Sequence, residues 1–172
     1  FVSNFRFWKE AGYFDAGSHE KWLLHTWSLS VEWQFYILLP LGVLLVWHWF
    51  GKRGVKWALC AIGVLSFALS IYASSRWPGM AFYLLPTRAW EMLAGGMVWW
   101  LTRNPRISGG AARIVEILGL LLIVWSVVMF DSNMLWPSGY AAIPVLGTML
   151  VLLAARQDSL VTGNLVAQRL GE

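Results

Sequence analysis

Five long apolar segments run through the sequence, and each is close to the length that crosses a lipid bilayer. A spanning helix needs about 20 consecutive apolar residues. Backbone groups inside lipid find hydrogen-bond partners only within helices or closed barrels. The alternation of apolar and polar residues that is typical of barrel strands is absent from this sequence. The fold is therefore predicted to be all-α, a polytopic transmembrane helix bundle with about five membrane helices. We name the predicted segments A (about 26–50), B (55–73), C (82–101), D (114–130) and E (139–155).

Composition supports a membrane protein and argues against several other classes. Hydrophobic residues make up 58% of the 172 residues and charged residues only 13%, whereas a soluble domain carries about 25% charged residues. The net charge of +4 comes from bases in short loops, so it indicates topology and not nucleic-acid binding. The single cysteine, Cys60, cannot form an intrachain disulfide, and the sequence lacks metal-site spacings. We therefore expect no metal, no bound cofactor and no nucleic-acid partner.

Loop charges predict how the segments are oriented. Basic residues gather in the A–B loop, in the C–D loop and after segment E, whereas the B–C and D–E loops carry few. The positive-inside rule places the basic loops and the tail in the cytoplasm. Residues 1–24 mix both charges and are predicted to be an extracytoplasmic or interfacial segment. The bases concerned are Lys52, Arg53, Lys56, Arg103, Arg106, Arg113, Arg156 and Arg169.

The start of segment A is unusually polar for a membrane helix. A rotation of about 100° per residue places four polar side chains on one face: His25, Ser28, Glu32 and Tyr36. A carboxylate at membrane depth costs roughly 2.5–3.5 kcal/mol on insertion scales, so it usually faces a partner or a watery cavity. One helix face thus offers an imidazole, a hydroxyl, a carboxyl and a phenol, which are functional groups typical of a reaction or transfer site.

Segment C carries a second set of charges. Arg88 and Glu91 are three residues apart and share a helix face. If segments A and C both enter the membrane from outside, these two residues lie at a depth similar to that of Glu32. The predicted catalytic residues are Glu32, Arg88, Glu91 and His25. The predicted substrate-binding residues are Ser28, Tyr36, Trp33 and Trp90, where the two tryptophans are included because they flank Glu32 and Glu91.

The same residues allow other interpretations. Glu32 and Arg88 can form an ion pair that only fixes helix packing, and His25 can be a hydrated residue of the membrane interface. Ser28 can bond back to a carbonyl four residues earlier, and tryptophans are common interface anchors. Polar residues at depth and helix-kinking prolines also suit a transporter. A non-catalytic membrane subunit remains a third interpretation.

Two separated stretches follow the pattern of a known protein family. The first comprises Asn4-Phe5-Arg6-Phe7-Trp8, Gly12-Tyr13-Phe14-Asp15 and Leu24-His25-Thr26-Trp27-Ser28-Leu29-Ser30-Val31-Glu32-Trp33-Gln34-Phe35-Tyr36. The second is Phe82-Tyr83-Leu84-Leu85-Pro86-Thr87-Arg88-Ala89-Trp90-Glu91-Met92-Leu93-Ala94-Gly95. Together they resemble the central signatures of the acyltransferase-3 family of bacterial membrane O-acyltransferases. Many members carry a second glutamate where this chain has Trp33, which we interpret as variation.

The resemblance implies an activity, its substrates and a location. The family transfers an acyl group, commonly acetyl from acetyl-CoA, to a hydroxyl of a cell-surface glycan such as lipopolysaccharide O-antigen, peptidoglycan or exopolysaccharide. Its members are multi-pass proteins of the bacterial cytoplasmic (inner) membrane. The implied partners are therefore the lipid bilayer, acyl-CoA as donor substrate and a glycan as acceptor, while the oligomeric state stays open.

The resemblance further implies a larger domain. The histidine thought to catalyse transfer lies in the family's first membrane helix, with an Arg-x-x-Arg motif soon after it, and neither has a counterpart here; His25 is a different histidine. We expect residues 25–172 to be part of a multi-helix acyltransferase domain truncated at both ends and inactive alone. Glu32, Arg88 and Glu91 are then expected to position that histidine, the acceptor or a group derived from coenzyme A.

Overall fold

All regular secondary structure in the described part of the chain is helical. The computed structural model describes residues 2–10, 26–102, 107, 109–131 and 136–154. The all-α prediction is confirmed there, while the predicted loop and tail bases Arg103, Arg106, Arg156 and Arg169 lie outside the described residues. In chain order the helices are α1 (Ser3–Glu10), α2 (Thr26–Arg76), α3 (Pro78–Tyr83), α4 (Leu85–Thr102), α5 (Gly109–Met129), a 3₁₀ turn (Gly139–Ala141) and α6 (Ala142–Ala154).

Segments A and B are the two arms of α2, and one glycine separates them. Gly51 has φ 63° and ψ −169°, a backbone conformation that is essentially restricted to glycine. The predicted four-residue link 51–54 is thus shortened to a single non-helical position. The first arm is 26–50 and the second is 52–76, and each reaches the roughly 20 residues that a membrane span needs.

The two arms face each other across an apolar groove. The groove has a volume of about 200 Å³, and its lining includes Leu39 and Val43 from the first arm and Leu59 and Ile62 from the second. Val46 and Val55, which lie close to Gly51 in the sequence, also line it. The chain therefore reverses direction at Gly51, and the second arm runs back alongside the first.

The second arm also fixes the start of α4. The Ser66 hydroxyl donates to the Pro86 carbonyl at 2.7 Å and accepts from the Trp90 amide N–H at 3.1 Å. Those two backbone groups are four residues apart, the spacing at which a helix bonds to itself. The Trp90 ring packs on Phe67, with ring centroids 4.7 Å apart. One face of α4 is therefore held against the second arm.

A buried threonine shapes the corner between α3 and α4, where segment C was predicted to be a single helix from about residue 82. Leu84 is extended, with φ −99° and ψ 144°, so it separates the two helices. Thr87 is fully buried, and its hydroxyl lies 2.9 Å from the Ala81 carbonyl oxygen and 2.8 Å from that of Leu84. These contacts satisfy backbone groups that the end of α3 leaves without helical partners.

Helix α1 is joined to α2 and α3 through a buried amide. Asn4 is fully buried, and its Nδ2 donates to the Tyr83 carbonyl oxygen at 3.2 Å. Gln34 Nε2 donates to Asn4 Oδ1 at 2.9 Å, and the Ser3 hydroxyl donates to the Thr26 carbonyl oxygen at 2.9 Å. Since buried polar groups are costly unless hydrogen-bonded, this network anchors α1 beside the start of α2.

The chain forms two compact units. One holds α1, α2, α3, the start of α4 and the turn near residues 136–141, while the other holds the rest of α4, α5 and α6. Within the second unit α5 and α6 touch through their backbones at two glycines. A Cβ added to Gly119 would lie 2.6 Å from the Gly147 carbonyl oxygen, and one added to Gly147 would lie 2.8 Å from that of Gly119. Small residues allow such close packing between membrane helices.

The described apolar helices have the length, composition and surface of membrane helices. Among the described helices, α2 and α5 are long and apolar enough to cross a bilayer, while residues 139–154 form a shorter apolar helix. Large apolar side chains on their surfaces are exposed, including Phe50, Trp57 and Val127. An extended apolar exterior is unfavourable in water, whereas a helix that is hydrophobic all round suits lipid. The prediction of a membrane helix bundle is therefore supported.

Candidate functional site

A cavity lies between the first turns of α2 and the first turns of α4. Its volume is about 470 Å³, within the range of roughly 300–1,000 Å³ that is usual for small-molecule sites. All of its described lining belongs to the first unit: Trp27, Ser28, Val31, Glu32, Phe35, Tyr36, Arg88, Glu91 and Met92. The structure thus brings the predicted polar residues of segments A and C to one place.

Helical periodicity explains the α2 wall of the cavity. Ser28, Glu32 and Tyr36 are successive residues four apart, so they form one stripe along the helix. Val31 and Phe35 precede two of them and are buried, which gives the cavity an apolar floor. The fourth residue of the predicted stripe, His25, lies outside the described residues.

Arg88 is held from two directions. Its guanidinium donates to Glu91 Oε2 at 3.1 Å, and it lies 5.0 Å from the ring centroid of Trp27 and 5.7 Å from that of Phe82. A cation over an aromatic face gains about 0.5–1 kcal/mol when exposed and about 2 kcal/mol when desolvated, and the Arg88 side chain is only 18% exposed. Within the described residues, the ion pair of Arg88 is therefore made with Glu91 and not with Glu32.

Trp27 is a cavity residue that the sequence analysis did not assign to the site. Its ring packs on Phe82 with a centroid distance of 4.7 Å and meets Tyr83 edge-on at 5.3 Å. These contacts set the orientation of the ring that covers Arg88. The signal available in the sequence was its spacing, because Trp27 lies four residues before Val31 and eight before Phe35, which also line the cavity.

The two carboxylates differ in their contacts. Glu91 Oε2 bonds Arg88, while Glu91 Oε1 is buried and has no hydrogen-bond partner among the described residues. Glu32 lines the same cavity at intermediate exposure. The described lining therefore carries two acidic groups and one basic group, and it offers carboxylate oxygens that a ligand can use.

The two predicted substrate-binding tryptophans are not among the lining residues. Trp33 is 49% exposed on the outer surface of α2. Trp90 is buried against Phe67 on the second arm, and its Nε1 has no hydrogen-bond partner in the described part of the chain. The reason is geometric: a residue adjacent to Glu32 or Glu91 points about 100° away around the helix. Their assignment to substrate binding stays a prediction that this cavity does not support.

The arrangement has the elements of a polar reaction or binding site. A carboxylate can accept a proton or a hydrogen bond from a hydroxyl, and a positioned guanidinium can stabilise developing negative charge. The apolar floor and the ring of Trp27 place these charged groups beside non-polar surface, where electrostatic interactions are stronger than in bulk water.

Comparison with known proteins identifies relatives among membrane acyltransferases. The chain is 31% identical over 153 residues to a Komagataeibacter xylinus protein named as a membrane-bound transacylase, BcsY, a match that covers 89% of this chain and 39% of that protein. It is 26% identical over 164 residues to the peptidoglycan O-acetyltransferase OatA of Listeria monocytogenes, covering 88% of this chain and 26% of OatA. A Haemophilus influenzae protein whose name gives no function is 28% identical over 171 residues, covering 93% of this chain and 69% of that protein.

The matches extend over most of this chain but only part of the named relatives. No family model matches the chain, and no solved structure matches it. The chain spans 39% of the length of BcsY and 26% of that of OatA, so both relatives are much longer than this chain. The resemblance is confirmed at this level: the chain is similar to bacterial proteins named as a membrane-bound transacylase and as peptidoglycan O-acetyltransferases.

Proposed function

We propose that the whole protein transfers an acyl group, most simply acetyl, from acyl-CoA to a hydroxyl of a cell-surface glycan. The names of BcsY and OatA support acyl transfer at a membrane. Peptidoglycan is the preferred acceptor because it is the polymer in the name of OatA. We further propose that it is a multi-pass enzyme of the cytoplasmic membrane, with both arms of α2, α4, α5 and α6 as membrane helices.

The observation that carries the proposal is the cavity shared by Glu32, Arg88 and Glu91. In the reaction, the acceptor O–H bond and the thioester C–S bond break, while an ester C–O bond forms and the thiol receives a proton. A base must take the hydroxyl proton, and donors must stabilise the oxyanion of the intermediate. The expected upstream histidine acts as the base. Glu32 and the Arg88–Glu91 pair position the reacting groups next to it.

The experiment is carried out with the full-length protein in its native membrane. Glu32→Gln removes a cavity charge with little change of shape, and Arg88→Ala removes the guanidinium. The matched control is Arg76→Ala, because Arg76 is also an arginine over an aromatic ring, 4.8 Å from that of Tyr72, yet it does not line the cavity. Glycan O-acetylation and the amount of protein in the membrane are measured together.

We expect at least a tenfold loss of O-acetylation in both cavity variants, which corresponds to about 1.4 kcal/mol of transition-state stabilisation. Their abundance in the membrane should stay normal. The Arg76→Ala control should keep normal O-acetylation. Normal acetylation in both cavity variants would refute the site. Loss of protein from the membrane would instead favour a purely structural role for these charges. Substrate flux without acetyl transfer by the purified protein would favour the transporter interpretation.

A further inference from the structure

We infer that the cavity between α2 and α4 binds the hydroxyl-bearing acceptor, a neutral sugar unit, and not the acyl-CoA donor. The inference rests on the proposed acyl transfer and assigns one of its two substrates to this cavity. Three independent observations support it: the balance of charge in the lining, the hydrogen-bonding capacity left in it, and its position along α2.

The charge balance disfavours the phosphates of coenzyme A. The described lining holds the carboxylates of Glu32 and Glu91 against the single guanidinium of Arg88. Arg88 is already paired with Glu91 at 3.1 Å, so Glu32 is left as the second acidic group of the lining without a basic counterpart among the described lining residues. A phosphate placed here would face Glu32 at close range in a partly desolvated space, where like charges repel strongly.

The same groups suit an uncharged polyol. An ionised carboxylate only accepts hydrogen bonds, and sugar hydroxyls can donate them. Glu91 Oε1 is buried without a partner among the described residues, so a donor from a ligand would satisfy it. Ser28 and the exposed Tyr36 add hydroxyls on the adjacent wall, and Trp27 adds a flat apolar surface. Hydroxyls and apolar surface together match the two kinds of surface that a pyranose ring presents.

The third observation is that the cavity and the exposed bases lie at opposite ends of the first arm. The cavity lies in the first turns of α2, whereas Lys52 and Arg53 are exposed just after Gly51 at the opposite end of that arm. Glu32 and Lys52 are separated by roughly 30 Å at the rise of an α-helix. The bases therefore suit the phosphates of a cytoplasmic donor, and the acidic cavity is left for the acceptor.

The test measures binding of each substrate separately to the purified full-length protein. The probes are free coenzyme A, which cannot react, and two neutral acceptor fragments, chitotetraose and an uncharged peptidoglycan disaccharide. Titration calorimetry is performed on the wild type, on Glu32→Gln and Glu91→Gln, and on Lys52→Ala/Arg53→Ala as the matched charge control. Thermal unfolding of every variant in the same detergent shows whether it is folded.

We expect about a tenfold weaker sugar affinity in Glu91→Gln, as for the loss of one hydrogen bond to a charged group, with coenzyme A affinity unchanged. The Lys52→Ala/Arg53→Ala control should weaken coenzyme A binding and leave sugar binding unchanged. Tighter binding of coenzyme A to the two glutamine variants would overturn the inference, because removing acids relieves repulsion only if phosphates occupy the cavity. Failure of the wild type to bind either sugar would also overturn it.

Acetyl transfer is assayed on the same preparations, which separates the inference from the proposed function. If the protein transfers acetyl groups but its Glu32→Gln and Glu91→Gln variants bind coenzyme A more tightly, the proposed function stands. Only the assignment of the cavity to the sugar is then refuted. If the protein binds the sugars and coenzyme A as expected but transfers no acetyl group, the sugar site stands and the proposed activity is refuted.

Discussion

Arg88 shows how a charged side chain is held within apolar surroundings. Glu91 neutralises it at 3.1 Å, and the rings of Trp27 and Phe82 provide electron-rich faces at 5.0 and 5.7 Å. A buried ion pair alone often fails to offset the cost of desolvation. The aromatic contacts add attraction without adding another charge. Since the rings also restrict the side chain, they keep the guanidinium at the cavity wall.

Replacement of Trp27 tests that role of the aromatic face. Trp27→Leu removes the quadrupole beside Arg88 but keeps an apolar side chain, so we expect O-acetylation by the full-length protein to fall roughly two- to thirtyfold, the equivalent of about 0.5–2 kcal/mol. Trp27→Phe keeps an aromatic face and should recover part of the activity. Acetylation is compared at equal membrane abundance. Equal activity of the Leu and Phe variants would show that Trp27 only fills space.

The helices are positioned by a few small residues. Ser66 joins the second arm of α2 to the backbone of α4, and Thr87 fixes the corner before α4. Glycine serves two different purposes: Gly51 adopts a positive φ that reverses the chain, whereas Gly119 and Gly147 let two helices meet at their backbones. Together, Ser66 and Thr87 set the rotation of α4, and with it the direction in which Arg88 and Glu91 point.

Two glycines of α5 provide a matched test of the close contact between α5 and α6. Gly119→Ala places a methyl group against the Gly147 carbonyl oxygen, so we expect a loss of about 1–3 kcal/mol in the free energy of unfolding. Gly110→Ala meets nothing within 4 Å and should be neutral or stabilising by up to about 1 kcal/mol, since alanine is the better helix former. Denaturant unfolding in detergent micelles measures both. Equal effects of the two substitutions would contradict the observed contact.

At the scale of the whole molecule, the reversal at Gly51 gives the first unit two distinct ends. Lys52 and Arg53 mark the end at the turn, and the cavity with α1 and the α3–α4 corner marks the other. Each apolar arm matches the bilayer thickness, so a hairpin that spans the membrane would place these ends on opposite sides. The positive-inside rule then predicts that the turn lies in the cytoplasm and the cavity on the outer side.

Labelling from one side of the membrane tests this orientation. The background is the full-length protein without other cysteines, including a Cys60→Ser substitution. In it, Lys52→Cys and Ser75→Cys each place a single thiol at an exposed position, one at each end of the second arm. We expect a membrane-impermeant maleimide to label Ser75→Cys in intact spheroplasts and Lys52→Cys only after permeabilisation. Labelling of both from the same side would show that this arm does not cross the membrane.

Much of the element structure followed from the sequence because it depends on local properties. Apolar runs and glycine breaks predicted the two arms of α2, α4, α5 and α6, and the 3.6-residue period placed Ser28, Glu32 and Tyr36 on one stripe, as the cavity shows. The period also relates Arg88 to Glu91, which pair at 3.1 Å. Within a single helix, spacing alone determines which residues share a face.

Tertiary structure decided which faces meet. The rotation of α4 about its axis depends on Ser66 and Thr87, which no periodicity reveals, and that rotation turns Trp90 toward the second arm and Arg88 toward the cavity. It also makes Trp27, and not Trp33, the aromatic neighbour of the charges. A helix fixes the angles between its own side chains, but its orientation relative to a neighbouring helix is set by packing contacts between residues that are distant in sequence.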